Sequence, residues 1–241
     1  MANVKNLFLA FVAVLIVSTT ATLANDIYIN QAGDSLDLDI VQDGQNNVIG
    51  TSTTDVALSG DSMTFSITQT GNMNTIAANI KGSTYTGTWS FTGDSNTVDM
   101  LCSSTTAGDC DTVTLNITTT GDSNTFDFDI GETATADSST VSFTVTGDNS
   151  VINTDIDGQS TALTVTIDNS ASLATTSANS DEGVALTTTQ SGDGDSAGHT
   201  ATVDVTGGGG TIDITQSGIY DNTVDLTISG DSFDVDITQR D

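Results

Sequence analysis

The chain has 241 residues, with 32 acidic against 3 basic side chains, no proline, and aromatic residues at 5%. A net charge of -29 excludes unaided binding to nucleic acid or anionic lipid, since both would repel it. So few rings argue against a thick globular core, whereas abundant Thr, Ser, Val, Ile and Gly suit many short strands joined by tight turns. High charge and Ser/Thr/Gly content are also the signature of disorder, but the apolar periodicity described below is the stronger signal.

At the N-terminus Lys5 precedes an unbroken apolar run from Leu7 to Val17, and the small-residue stretch Ser18 to Ala24 follows. The pattern predicts a secretory signal peptide over 1–24, with Thr22 and Ala24 at the positions a signal peptidase reads and Asn25 as the mature start. A retained membrane anchor is the rival, yet so short a run covers only about half of a ~30 Å hydrocarbon core. The expected location is secreted, extracellular or at the cell surface. After cleavage only Lys81 and Arg240 remain to balance the acids, so the natural electrostatic partners are cations.

From residue 25 onward one unit recurs. Gly60, Gly71, Gly82 and Gly93 follow one another at intervals of 11, and Gly33/Gly44, Gly147/Gly158 and Gly207/Gly218 keep the same step. The rhythm slips between Gly93 and Gly121, between Gly131 and Gly147, and between Ser170 and Gly192. Between glycines the chain alternates: Leu36, Leu38 and Ile40 share one face, as do Met63, Phe65 and Ile67, then Phe126, Phe128 and Ile130, and so on to Phe233, Val235 and Ile237. Residues i, i+2 and i+4 point the same way only in a strand. Two units make a coil of ~22 residues that buries too little alone but shares a continuous interior when stacked. The predicted fold is therefore all-β, a flattened two-sheet β-solenoid, with an antiparallel β-sandwich as the alternative.

Cys102 and Cys110 bracket the segment Ser103 to Asp109. In an exported chain this spacing predicts a local disulfide closing a surface loop; half of a metal site is the rival, but the one histidine, His199, is remote in sequence. The predicted domain is thus 25–241, with a cysteine loop near 102–110 and a flexible Gly/Asp-rich stretch near 191–210.

At the turns a phrase Q-x-G-x-x-N emerges. It is complete at Gln42, Gly44, Asn47 and at Gln69, Gly71, Asn74; it lacks glutamine at Gly93, Asn96 and at Gly121, Asn124; it lacks a correctly spaced asparagine at Gln31, Gly33, at Gln190, Gly192 and at Gln216, Gly218. This resembles the curlin repeat of curli subunits, the extracellular amyloid fibres of bacteria, which reads roughly S-x5-Q-x-G-x-x-N-x5-Q. The resemblance spans 27–239 loosely. It implies a strand, turn and strand per repeat, self-assembly into a homopolymer, and outer-membrane export and nucleation proteins as partners. Met63 and Leu36 replace the leading serine, and Ile80 and Ile130 the trailing glutamine. The implied interior is accordingly greasier and less ladder-like than that of the family.

No nucleophile and base can be assembled, so no enzyme is expected. Two carboxylates would suffice for a glycosidase, but the repetition of the acids reads as a solvated face. Ser191 to Gly198, with Asp193 and Asp195, has the Gly/Asp spacing of a calcium turn; one imperfect copy makes Ca²⁺ a weak candidate ligand and a connector the simpler reading. Thr112-Val-Thr114 and Thr164-Val-Thr166 resemble the threonine arrays of ice-binding solenoids. Asp and Asn interrupt equivalent outward positions, so strand propensity accounts for these phrases. Asp37, Asp39, Asp99, Asp127, Asp129, Asp155, Asp157, Asp204, Asp213, Asp225, Asp234 and Asp236 alternate with apolar residues and should face solvent, opposing one another across strands by a few tenths of a kcal/mol each. Two functions follow as expectations: an exported curlin-like subunit of an extracellular fibre for biofilm matrix or surface adhesion, or a soluble acidic β-solenoid binding calcium, ice or glycans.

Overall fold

The computed structural model describes residues 25–240 apart from 45, 51–55, 72, 103–109, 132–135, 148–149, 169–171, 192–198 and 220. Residues 1–24, where a signal peptide is expected, lie outside the described residues. Every pairing between the described strands is parallel, which excludes the antiparallel sandwich. The chain is a β-solenoid.

Strands fall alternately on two faces. One face is built from Asp37–Asp43, Met63–Thr70, Thr84–Thr92, Thr112–Thr120 and the second part of Ala136–Thr146. It continues through the later halves of Ser150–Asp168 and Ser172–Ser191 to Gly210–Ser217 and Phe233–Arg240. The other carries Asn47–Ile49, Met73–Lys81, Ser95–Cys102, Thr125–Ile130, the early halves of the two long strands, Thr200–Gly207 and Thr223–Gly230. The two long strands run through a corner, where the register shifts between Gly158 and Ser160.

Coil length explains the slips in the glycine rhythm. Met63 pairs with Tyr85, 22 residues on, but Tyr85 pairs with Val113, 28 residues on. The extra residues fall at the corner closed by the cysteines, and the strands on either side keep their register. Insertions thus lengthen corners without moving the interior.

The interior is a set of columns one residue wide. Leu38, Phe65, Gly87, Leu115, Val141, Leu163, Leu186, Ile212 and Val235 form one; Ile40, Ile67, Trp89, Ile117, Phe143, Val165, Thr188, Ile214 and Ile237 form its neighbour. Most of these side chains are fully buried. Gly87 is required by its neighbours, because a Cβ there would meet the Tyr85 hydroxyl at 2.5 Å and the Leu115 Cδ1 at 2.7 Å. Trp89 packs edge-on to Phe65 at 6.0 Å and Phe128 packs edge-on to Phe143 at 5.0 Å, so the few aromatic rings are concentrated mid-stack and bridge the two faces. Trp89 Nε1 donates to the Phe65 carbonyl at 3.0 Å, which satisfies its one polar atom.

Two further columns are glycine. Gly33, Gly60 and Gly82 stack at one corner; Gly71, Gly93, Gly121 and Gly147 stack at the other. A Cβ on Gly93 would overlap the carbonyl oxygen of Gly71, and one on Gly121 that of Gly93. The 11-residue interval is the distance from one corner to the next. Beside the glycines, Ser35, Ser62, Ser123 and Ser232 adopt φ near +60° (62°, 59°, 59° and 63°), completing the Gly-Asp-Ser corner.

Candidate assembly surfaces

The sequence motif places its polar residues differently from the expectation. Gln42 and Asn47, Gln69 and Asn74 flank a corner, but their side chains turn inward and are buried. Gly44, Gly71, Gly93, Gly121 and Gly218 form the corner itself, whereas Gly192 lies outside the described residues. Read as turn residues, the asparagines are instead a ladder. Asn47 Nδ2 donates to Asn74 Oδ1 at 3.1 Å, Asn74 to Asn96 at 2.6 Å, Asn96 to Asn124 at 2.6 Å, and Asn124 to Ser150 Oγ at 3.1 Å. The second amide hydrogen goes to the corner backbone: Asn96 to the Gly93 carbonyl at 2.9 Å, Asn74 to that of Thr92 at 3.1 Å.

Glutamine clasps the same corner from the other side. Gln42 Nε2 reaches the Val48 carbonyl at 3.4 Å, Gln190 that of Thr200 at 3.2 Å, and Gln216 that of Thr223 at 3.0 Å. Gln69 Nε2 donates to Gln42 Oε1 at 2.7 Å. In the glutamine column the order is Gln42, Gln69, Phe91, Thr119, Val145, Ile167, Gln190, Gln216, Gln239. This column is therefore apolar in the middle, apart from Thr119, and amide-lined towards both ends. Gln69 Oε1, facing Phe91, has no hydrogen-bond partner among the described residues, which marks where the ladder stops.

His199, remote in sequence from the cysteines, belongs to the asparagine column. Its ring is buried and it pairs in register one residue ahead of Thr200, where Asn222 stands one coil later. The only signal for it was coil arithmetic, which the insertion at 192–198 obscures.

Among the described residues no strand pairs with the outer side of the first coil or of the last. On the last coil Val235 is 39% and Ile237 43% exposed, and Val224, Leu226, Ile228 and Phe233 are half-buried. On the first coil Ile27, Ile29, Leu36 and Leu38 are half-buried. These residues stand in the same columns: Gln42 and Gln239, Ile40 and Ile237, Leu38 and Val235, Leu36 and Phe233 are the first and last members of four of them.

The acids are outward, as expected, but not evenly opposed. Asp99 faces Asp127, Asp129 faces Asp155, and Asp213 faces Asp236. Elsewhere Asp37 faces Thr64, Asp39 faces Ser66, Asp204 faces Thr227 and Asp225 faces Thr202. The repulsion anticipated along the whole stack is concentrated at a few contacts. The threonine phrases differ from the expectation in part: Asp99, Asp127, Asp129 and Asp155 lie on one face and the threonines of 112–120 and 160–168 on the other, but Asn116 does interrupt the threonine face, between Thr88 and Ser142.

Cys102 and Cys110 are joined in a disulfide with Cα atoms 5.9 Å apart. Cys102 sits in an apolar column between Ile80 and Ile130, and the N–H of Cys110 donates to the Gly82 carbonyl, so the bridge seals one corner. Asp193 and Asp195 lie outside the described residues, and among those described no three His, Cys, Asp or Glu side chains stand close enough to hold a metal ion. At the corners Asp61 accepts from the Ser83 N–H at 3.1 Å, and its own N–H donates to Asp34 Oδ1 at 3.1 Å. Hydrogen bonds from Ser83 hold the Asp61 carboxyl below its ordinary value. Burial pushes the Tyr85 phenol far up, so it stays neutral. No protein-family model, curated protein or solved structure matches the chain.

Proposed function

We propose that this chain is an exported, non-enzymatic structural protein, a curlin-like subunit whose coils stack end to end into an extracellular fibre for biofilm matrix or surface adhesion. One observation carries the reading: among the described residues the first and last coils are each paired on one side only, both present partly buried apolar side chains, and their columns correspond in register, with Ile40 and Gln42 buried where Ile237 and Gln239 are exposed. Open strand edges template further pairing unless something blunts them. A second copy docked on the last coil with the register of the stack would set Gln42 over Gln239, Ile40 over Ile237 and Leu38 over Val235. Arg240 would meet Asp43, which fixes the polarity of the joint. Asp37 would face Asp234 and Asp39 would face Asp236, so like charges oppose closure until salt, low pH or a divalent cation screens them. Export and nucleation proteins of an outer membrane belong to this reading as partners, and the local disulfide agrees with an oxidising compartment.

Thioflavin fluorescence and negative-stain microscopy of the mature chain, from low to high NaCl and with Ca²⁺, test the proposal. Filaments appearing as charge is screened support it. Compact monomers under every condition overturn it. The register has its own test in the variant Val41→Cys/Thr238→Cys. Oxidised filaments should yield a ladder of covalent multimers, because directly paired parallel residues lie within disulfide reach. Filaments without that ladder would leave the fibre standing and reject the head-to-tail joint.

A further inference from the structure

The two faces of the solenoid differ in chemistry. On the face running from Met63–Thr70 to the later half of Ser172–Ser191, the outward positions are almost all Thr or Ser. One column reads Thr68, Ser90, Thr118, Thr144, Thr166, Thr189 without interruption. Two columns over, Thr64, Thr86, Thr114 and Thr140 form another, and between the two stand Ser66, Thr88, Asn116, Ser142, Thr164 and Thr187. Within these six rows no outward position is aromatic, and the exceptions to Thr and Ser are Asn116, Ala162, Gly183, Ala185 and, at a row end between Thr146 and Ser191, Asp168, in a chain of net charge -29.

Strand propensity does not account for this. Threonine favours strands on either face, yet over the same coils the opposite face carries Asn79, Asp99, Leu101, Asp127, Asp129 and Asp155 at its outward positions. Among paired strand residues the acids stand on the opposite face and on the first and last two rows of this one, apart from Asp168, which pairs with Thr146 and Ser191 at the end of its row; hydroxyls and methyls dominate the field of rows between.

That field is a two-dimensional lattice. Rows are ~4.8 Å apart across paired strands, and alternate residues repeat about every 6.7 Å along a strand. The register between rows is unbroken on this face. A threonine side chain is stiff at χ1, so each row repeats the same oxygen and methyl positions. Both spacings lie close to the repeats of oxygen atoms on the prism plane of hexagonal ice. Without aromatic rings the face offers no stacking platform for sugars.

We propose that this Thr/Ser face binds ice, its hydroxyls and methyls ordering a layer of water that merges with the crystal. Ice adsorption needs only a folded monomer and stands or falls separately from fibre formation.

The test is recrystallisation of fine ice in the presence of the mature chain at concentrations where light scattering shows monomer, together with uptake into slowly growing ice. Wild type should arrest grain growth and be enriched in the ice. Thr118→Lys/Thr144→Lys should lose both activities while keeping its circular dichroism and thermal midpoint, and Thr144→Lys alone provides a milder variant if the pair fails to fold. Asp155→Asn, on the opposite face, should retain both. Grain growth at the rate seen with an inert protein, or full activity in a folded Thr144→Lys, overturns the proposal.

Discussion

Asn96 Nδ2 donates to Asn124 Oδ1 at 2.6 Å across one full coil, and Asn74 donates to Asn96 with the same length one coil below. Each amide is simultaneously donor and acceptor within the ladder, and its remaining hydrogen closes the corner. Replacing Asn96 with Ala removes those bonds and leaves Asn74 and Asn124 each with a buried group unsatisfied. The expected cost is about 1–3 kcal/mol for each orphaned group. Urea unfolding should show a lowered midpoint for Asn96→Ala, and a smaller fall for Asn47→Ala at the end of the ladder. Equal losses at the two positions would mean that the ladder is not cooperative.

The glycine columns give a contrast that conformational freedom alone would not. At Gly121, φ is +143° and a Cβ would overlap the carbonyl oxygen of Gly93. At Gly33 the φ of +136° is similar, yet the nearest obstacle is the mobile end of Gln31, 3.6 Å away. Both Ala substitutions strain the backbone, but only Gly121→Ala also forces two coils apart. It should lower the thermal midpoint well beyond Gly33→Ala. Comparable destabilisation would show that φ is the whole cost and close stacking none of it.

How much of this was legible follows from period. Phe126, Phe128 and Ile130 alternate strictly with Asp127 and Asp129, so their inward and outward assignments needed no structure. The glycine interval carried the coil because both corners need glycine for the same close approach. Pairing between distant rows was not legible, since it depends on how many residues each corner absorbs. Thr112 and Asp129 look equivalent in sequence, as outward residues of short strands; only the 28-residue coil places them on different faces. For the same reason His199 was invisible as a member of the asparagine column, and the threonine face could not be told from the acidic one.

Asp61 supplies a pH dependence whose sign is fixed. Hydrogen bonds from Ser83 favour its carboxylate, so its folded pKa lies below the ordinary value of 3.8. A depressed folded pKa means stability that is present above the unfolded value and lost as pH falls through the folded one. Between pH 5 and 2 the wild type should therefore lose stability faster than Asp61→Asn, measured as the change in thermal midpoint. Parallel acid limbs for the two proteins would show that the Ser83 contacts do not discriminate between protonation states in solution.

Thr188 occupies an inward column between Val165 and Ile214, and it is 1% exposed. Its hydroxyl has no hydrogen-bond partner among the described residues. Burying an unpaired hydroxyl costs about 1–3 kcal/mol on mutational scales, while the β-branched shape suits the strand. Valine keeps that shape and exchanges the hydroxyl for a methyl, so the oxygen's desolvation penalty is removed with little change in volume. Thr188→Val should raise the urea midpoint, whereas the outward Thr118→Val should leave it nearly unchanged, because solvent satisfies that hydroxyl in both states. A fall in stability for Thr188→Val would mean that the hydroxyl is paired in solution, and the column at that level would then be polar by construction rather than an imperfect copy of its apolar neighbours.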